Sequence, residues 1–194
     1  MLRFLRRKPG DCSRAVAYLK PQVPEDAPGP VVEMTGEGEP IIHEAAPDLL
    51  GVYLVEEGSQ FRYVQRRDLT RERVSEVELH AFGLANLDTL AAERLEIRAI
   101  GPIFAVLLDG NFEASLLLSE QFWSKTAPSC VAGPYAATVP ARDVLAFGPL
   151  ADPEALAGLT AVVERVWPGG DHLLTRSLYK QAPTGWAKLS PPAG

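Results

Sequence analysis

From Leu50 onward, apolar and polar residues alternate in short runs separated by turn residues. Val52, Tyr53, Leu54 and Val55 predict a strand, Glu56 to Gln60 a turn, and Phe61, Tyr63 and Val64 the returning strand of a hairpin. After the polar stretch Gln65 to Arg73 comes Ser75-Glu76-Val77-Glu78, a capping box that opens a helix to about Ala92. The same order recurs. Leu95 to Ile100 and Ile103 to Leu108 flank Gly101-Pro102, and a helix opened by Asn111 runs to about Lys125. Then Tyr135 to Val139 and Val144 to Phe147 flank Pro140 to Asp143, and Asp152-Pro153-Glu154 starts a helix with a capping carboxylate and proline in its first turn. Three strand-strand-helix units predict an α+β fold, an antiparallel sheet built from successive units with the helices mainly on one face. The units share an order of elements and no residue motif, so the chain is not a repeat protein.

The first part of the chain reads differently. Ala15, Val16, Tyr18 and Leu19 form a short helical pattern stopped by Pro21, and Pro24, Pro28 and Pro30 predict an irregular segment in which Val31 to Met34 makes a short edge strand. The predicted organisation is an N-terminal helix plus proline-rich segment over 1–48, an α+β core over 49–188 and a tail over 189–194, together one domain.

Helical periodicity then sorts the apolar positions. Phe112, Leu116, Ser119 and Trp123 share a side of the second helix, and Leu156, Leu159, Val163 and Val166 a stripe on the third, as helices that cover a sheet require. The first helix has two stripes, Leu79, Phe82 and Leu90 on one side and Val77, Leu84, Leu87 and Ala91 on another. Such a helix is expected to be buried between layers or covered by a partner. Asn86 falls within one stripe and His80 within the other, about 120° apart, each expected to satisfy backbone groups of a neighbouring element.

Charge and composition narrow the functional classes. A net charge of −6 with 23% charged residues argues against general electrostatic capture of nucleic acid or anionic lipid. The basic start Met1 to Lys8 is followed by Pro9-Gly10-Asp11 and no apolar segment, so it does not read as a secretory signal, and no later run approaches the ~20 apolar residues of a membrane span. Cys12 and Cys130 are isolated from each other, which fits a reducing cytoplasm. His43, His80 and His172 have no partner at metal-ligand spacing, and no glycine-rich phosphate cradle or nucleophile elbow is present, so neither metal nor cofactor is expected. The most charged feature is the run from Arg62 to Arg73. Beside Phe61 and Tyr63, its Arg62, Arg66 and Arg67 are candidates for contact with an anion or partner, against the plainer reading of a solvated connection with local ion pairs.

Taken together, Phe61-Arg62-Tyr63-Val64, Glu78-Leu79-His80, Asn86-Leu87, Gly110-Asn111-Phe112-Glu113-Ala114-Ser115 and Val139-Pro140-Ala141-Arg142-Asp143 resemble the YtpQ-like family of bacterial proteins, a domain of unknown function, over about Leu49 to Trp186. The resemblance implies a bacterial cytoplasmic protein and assigns no activity. It points to His80, Asn86, Asn111, Glu113, Arg142 and Asp143 as positions for a site. Asn111 and Glu113 have a local explanation as well, a helix cap and a first-turn charge. The expected function is a non-enzymatic binding or protein-interaction module with an unknown partner. The alternative is a hydrolase-type enzyme in which the fold gathers His80, Arg142 and Asp143, with His80 or Asp143 as acid/base and Arg142 orienting an anion.

Overall fold

The computed structural model describes residues 10–22, 36–58 and 60–189, so the edge strand expected over Val31 to Met34 lies outside the described residues. A single helical turn, α1 (Asp11–Arg14), leads into β1 (Val16–Pro21). This is a strand where the sequence pattern predicts a helix. The reason is non-local: β1 pairs antiparallel with a later strand from Val16↔Leu54 to Pro21↔Leu49, which outweighs a helical periodicity only five residues long.

Strands β2 (His43–Ala46), β3 (Leu49–Glu57) and β4 (Gln60–Tyr63) complete this first sheet. Strand β1 lines one side of β3, while β2 and β4 share the other, against Leu49–Gly51 and Leu54–Glu57 respectively. The expected β3–β4 hairpin is present. The polar connection after it is instead a helix, α2 (Arg66–Glu72), opened by Asp68 Oδ2 accepting from the Gln65 N–H at 3.0 Å and closed by Arg73 in the left-handed region, φ 58°.

The helix α3 (Glu76–Arg94) starts at the predicted capping box, with the Glu78 N–H donating to Ser75 Oγ at 3.2 Å and the Ser75 N–H donating to Glu78 Oε2 at 2.9 Å. Neither of its two predicted apolar stripes is fully buried; the row that packs inward takes one leucine from each. Leu79, Gly83 and Leu87 are buried at four-residue spacing, while Val77 is 80% and Phe82 37% exposed. Gly83 permits the close approach, since a Cβ there would stand 2.7 Å from the Tyr53 ring and 3.2 Å from the Ala17 nitrogen.

The chain continues through β5 (Glu96–Ile100), β6 (Ile103–Leu107), β7 (Tyr135–Thr138), β8 (Leu145–Pro149), the helix α4 (Pro153–Val166), β9 (Leu178–Ala182) and β10 (Gly185–Lys188). These six strands form a second antiparallel sheet, ordered β10-β9-β7-β8-β6-β5. The α+β class with antiparallel pairing is therefore as expected, but the three predicted units divide between two sheets, and the sequence reading had no β9–β10 hairpin.

The helix expected from Asn111 to Lys125 is broken into a 3-10 turn at Ala114–Leu118, a π turn at Phe122–Thr126 and a further 3-10 turn at Ala127–Ser129. Two side chains account for the break. Ser119 Oγ accepts from the Phe122 N–H and restarts the helix, and the Trp123 indole N–H takes the Leu116 carbonyl that a continuous helix would use internally.

One core cluster joins both sheets to this irregular segment, with Tyr53, Leu79, Phe112, Leu116, Phe147 and Tyr179 among its members. A second lies beneath α4, where Ala155 and Leu159 meet Ile103, Ala136 and Ala146. A polar tie also crosses between the sheets. Asp48, in the β2–β3 turn, accepts hydrogen bonds from the Tyr179 hydroxyl and from Thr175 Oγ1 at 2.8 Å, and pairs with Lys188 Nζ at 2.9 Å. No helix among the described residues is long and apolar enough to cross a membrane.

Candidate functional site

The arginine run does not present a free basic surface. Arg62 is spent inside the protein, with Nη1 on Asp68 at 2.6 Å, Nε on Glu57 at 2.7 Å and Nη2 on Asp11 at 3.0 Å. Arg71 bridges Asp11, Asp68 and Glu72, and Arg66 pairs with Glu39 and Glu76. Of the three candidates only Arg67 is exposed with no ion pair among the described residues. The ion pairs match the plainer sequence reading, although they fasten a helix to α1 rather than a solvated connection.

Two of the other candidates, Asn86 and Glu113, have structural tasks. The Asn86 amide donates to the carbonyls of Ser13 at 3.0 Å and Ala15 at 2.7 Å, holding α3 to the α1–β1 junction as expected of a half-buried amide. Asn111 is not the cap that the sequence suggests. Asp109 Oδ1 takes that place, accepting from the Asn111 and Phe112 N–H groups at 2.9 and 3.2 Å. Glu113 is not an exposed first-turn charge either: it is buried, and its Oε1 accepts from the Leu108 and Gly110 N–H groups at 2.9 and 2.8 Å, clamping the turn after β6.

His80, Arg142 and Asp143 do not share a cleft. Adjacent strand residues face opposite sides of a sheet, and β3 separates them in this way. Tyr53, with His43 across from Gly51, faces α3 and His80; Leu50 and Val52 face the side on which Arg142 stands. Asp143 is exposed and shares a third depression with Arg142, Arg165 and His172, so it is His80 that stands apart from the other two.

On the α3 side, the Tyr53 hydroxyl sits 2.8 Å from His80 Nδ1 and 3.2 Å from His43 Nδ1, and the imidazole centroids are 4.7 Å apart, edge to face. Burial holds His43 and His80 below the ordinary histidine value, with His80 adding to the effect on His43, and burial beside Glu76 pushes the Tyr53 hydroxyl up to about 12. In the sequence His43 has no partner at metal-ligand spacing. Its relation to His80 comes from the pairing of β2 with β3 and has no local signal.

Because both imidazoles resist protonation in the folded state, the unfolded chain binds more protons once pH drops below about 6.5. Stability therefore holds above that pH and falls as pH passes down through it. Urea midpoints of the wild type should decline between about pH 7.5 and 5.5 more steeply than those of the His43→Gln/His80→Gln double variant. Equal slopes would mean that the pair is not the source.

The other side of the first sheet holds a cleft of about 460 Å³. Tyr18, Ile42, Leu50, Val52, Tyr63 and Leu174 provide an apolar wall, and Lys20 and Arg142 supply two positive charges. The Lys20 ammonium lies over the Tyr18 and Tyr63 rings, 5.5 and 5.9 Å from their centroids. Arg142 is held through its backbone, its N–H donating to the His172 carbonyl at 3.2 Å and its carbonyl accepting from the Ala114 N–H at 3.1 Å. Burial raises the Tyr18 hydroxyl, against the opposing pull of Lys20 and Arg142. Neither cation has an ion pair among the described residues, and none of those lining the cleft is a carboxylate. Lys20 was not singled out in the sequence because its strand was read as a helix.

Comparison of the chain with protein-family models, with curated proteins and with solved structures found no match.

Proposed function

We propose that the protein is a non-enzymatic binding module for a small apolar molecule carrying one anionic group. The observation behind this reading is the pairing of Lys20 and Arg142 across an apolar wall with no carboxylate to neutralise them. Positive charge left unmatched beside desolvated aromatic surface favours an anion that brings its own apolar body, because such a ligand gains burial and charge pairing together. The same reading takes the chain to be a YtpQ-like protein of the bacterial cytoplasm, where its free thiols Cys12 and Cys130 stay reduced.

Thermal melting tests it. Octanoate or naphthoate should raise the melting temperature, and octylamine and octanol should not. A ligand at a hundredfold its Kd adds about 2.7 kcal/mol, or several degrees for a chain of this size. Lys20→Met and Arg142→Met should each melt near the wild type without ligand and lose most of the shift. If the anions produce no shift, or the neutral alcohol matches them, the proposal fails.

A further inference from the structure

The α3 side of the first sheet bears a second cleft, of about 500 Å³, whose chemistry is opposite to that of the first. A strand glycine shapes it. A Cβ at Gly51 would stand 1.9 Å from His43 Cε1, so the bare backbone lets the imidazole lie across β3 and reach Tyr53.

A hydroxyl has one proton, so Tyr53 donates to one Nδ1 and accepts from the other. The imidazole that donates from Nδ1 keeps the lone pair of its Nε2, and both rings line the cleft.

Trp123 and Trp186 form an aromatic corner of the same cleft, with centroids 4.6 Å apart at 66°. Both indole N–H groups are turned inward to successive carbonyls, Trp123 to Leu116 and Trp186 to Leu117, each at 3.0 Å. They offer a ligand π surface and no donor. Glu44 and Glu120 stand exposed at the rim without ion pairs among the described residues, and no lysine or arginine lines the cleft.

Two carboxylates, an imidazole lone pair and indole faces all attract positive charge. We infer that this cleft binds an organic cation, an ammonium or amidinium carried on a small ring or short chain. A metal ion is a poorer match, since the two imidazoles find no third ligand among the described residues. This site is independent of the anion cleft on the other side of β3.

The test follows the indole N–H signals of ¹⁵N-labelled protein titrated with benzylamine, which is charged at about pH 8, and with benzyl alcohol and benzoate as isosteres. Trp167, at the end of α4 and not among the residues lining the cleft, is the internal control. Benzylamine alone should shift the Trp123 and Trp186 signals saturably. The Glu44→Gln/Glu120→Gln variant should bind it roughly fivefold more weakly, as expected for exposed charge pairs. Trp186→Leu should weaken it by a similar factor through loss of the cation–π contact, roughly two- to fivefold. An equal response to benzyl alcohol or benzoate, no response to benzylamine, or an unchanged Kd in the double variant would each overturn the assignment.

Discussion

Phe147→Ala should cost about 3–5 kcal/mol, the range for removing a fully buried aromatic ring, and it is the largest single-residue effect expected here. Phe147 lies on β8 with no exposed surface, and its ring meets Phe104 at 5.4 Å, Trp123 at 5.5 Å, Phe122 at 5.7 Å and Tyr135 at 6.0 Å. Those neighbours come from β6, β7 and the irregular segment, so no single element can move to fill the space. Trp123 has the least freedom, because its indole N–H is tied to Leu116 and its ring abuts Trp186. Phe147→Leu keeps most of the volume and should lose less than about 2 kcal/mol. Urea denaturation of the two variants separates the cases. A loss below about 1 kcal/mol for Phe147→Ala would show that the cluster collapses onto the gap.

The same neighbourhood shows what a sequence can and cannot disclose. The Ser75–Glu78 capping box, the Asp152-Pro153 start of α4 and the Gly101-Pro102 turn act within a few residues, and each element they predict is present. Elements defined by distant partners were misread or missed. Strand β1 exists because β3 lies beside it, and the β9–β10 hairpin is part of a sheet through the pairing of β7 with β9. The break at Ser119 depends on a tryptophan four residues on reaching back to a carbonyl, which periodicity cannot register. Neither cleft was legible for the same reason. Lys20 and Arg142 come from distant parts of the chain, and His43 and His80 meet through a tyrosine on a third element. His80 and Arg142 were singled out individually, but the grouping that joined them with Asp143 is not the one the fold makes.

The arginine run carries the second large effect. Asp68 is 1% exposed, accepts from Arg62 Nη1 at 2.6 Å and from the Gln65 N–H at 3.0 Å, and is ion-paired with Arg71 Nη2 at 3.0 Å. Burial works to raise its pKa, but the Gln65 N–H and the two guanidinium groups outweigh that and leave it below the ordinary aspartate value. Asp68→Ala removes the partner of a guanidinium that keeps only 24% of its side-chain surface in water, and it also removes the acceptor of the Gln65 N–H at the start of α2. The expected loss is about 3 kcal/mol, toward the lower end for a broken buried pair because Glu57 and Asp11 still hold Arg62. Asp68→Asn keeps the shape and removes the charge, so comparison with the wild type isolates the ionic part. The sign with pH follows from the lowered value: the aspartate's advantage is complete above about pH 4 and is lost as pH falls through its depressed pKa, where both chains carry a neutral group. Guanidinium denaturation would mask this charge effect by screening, so urea is the suitable denaturant. Were Asp68→Asn as stable as the wild type at neutral pH, the network would be a solvated set of surface pairs, and Arg62 would again be available to a ligand outside the protein.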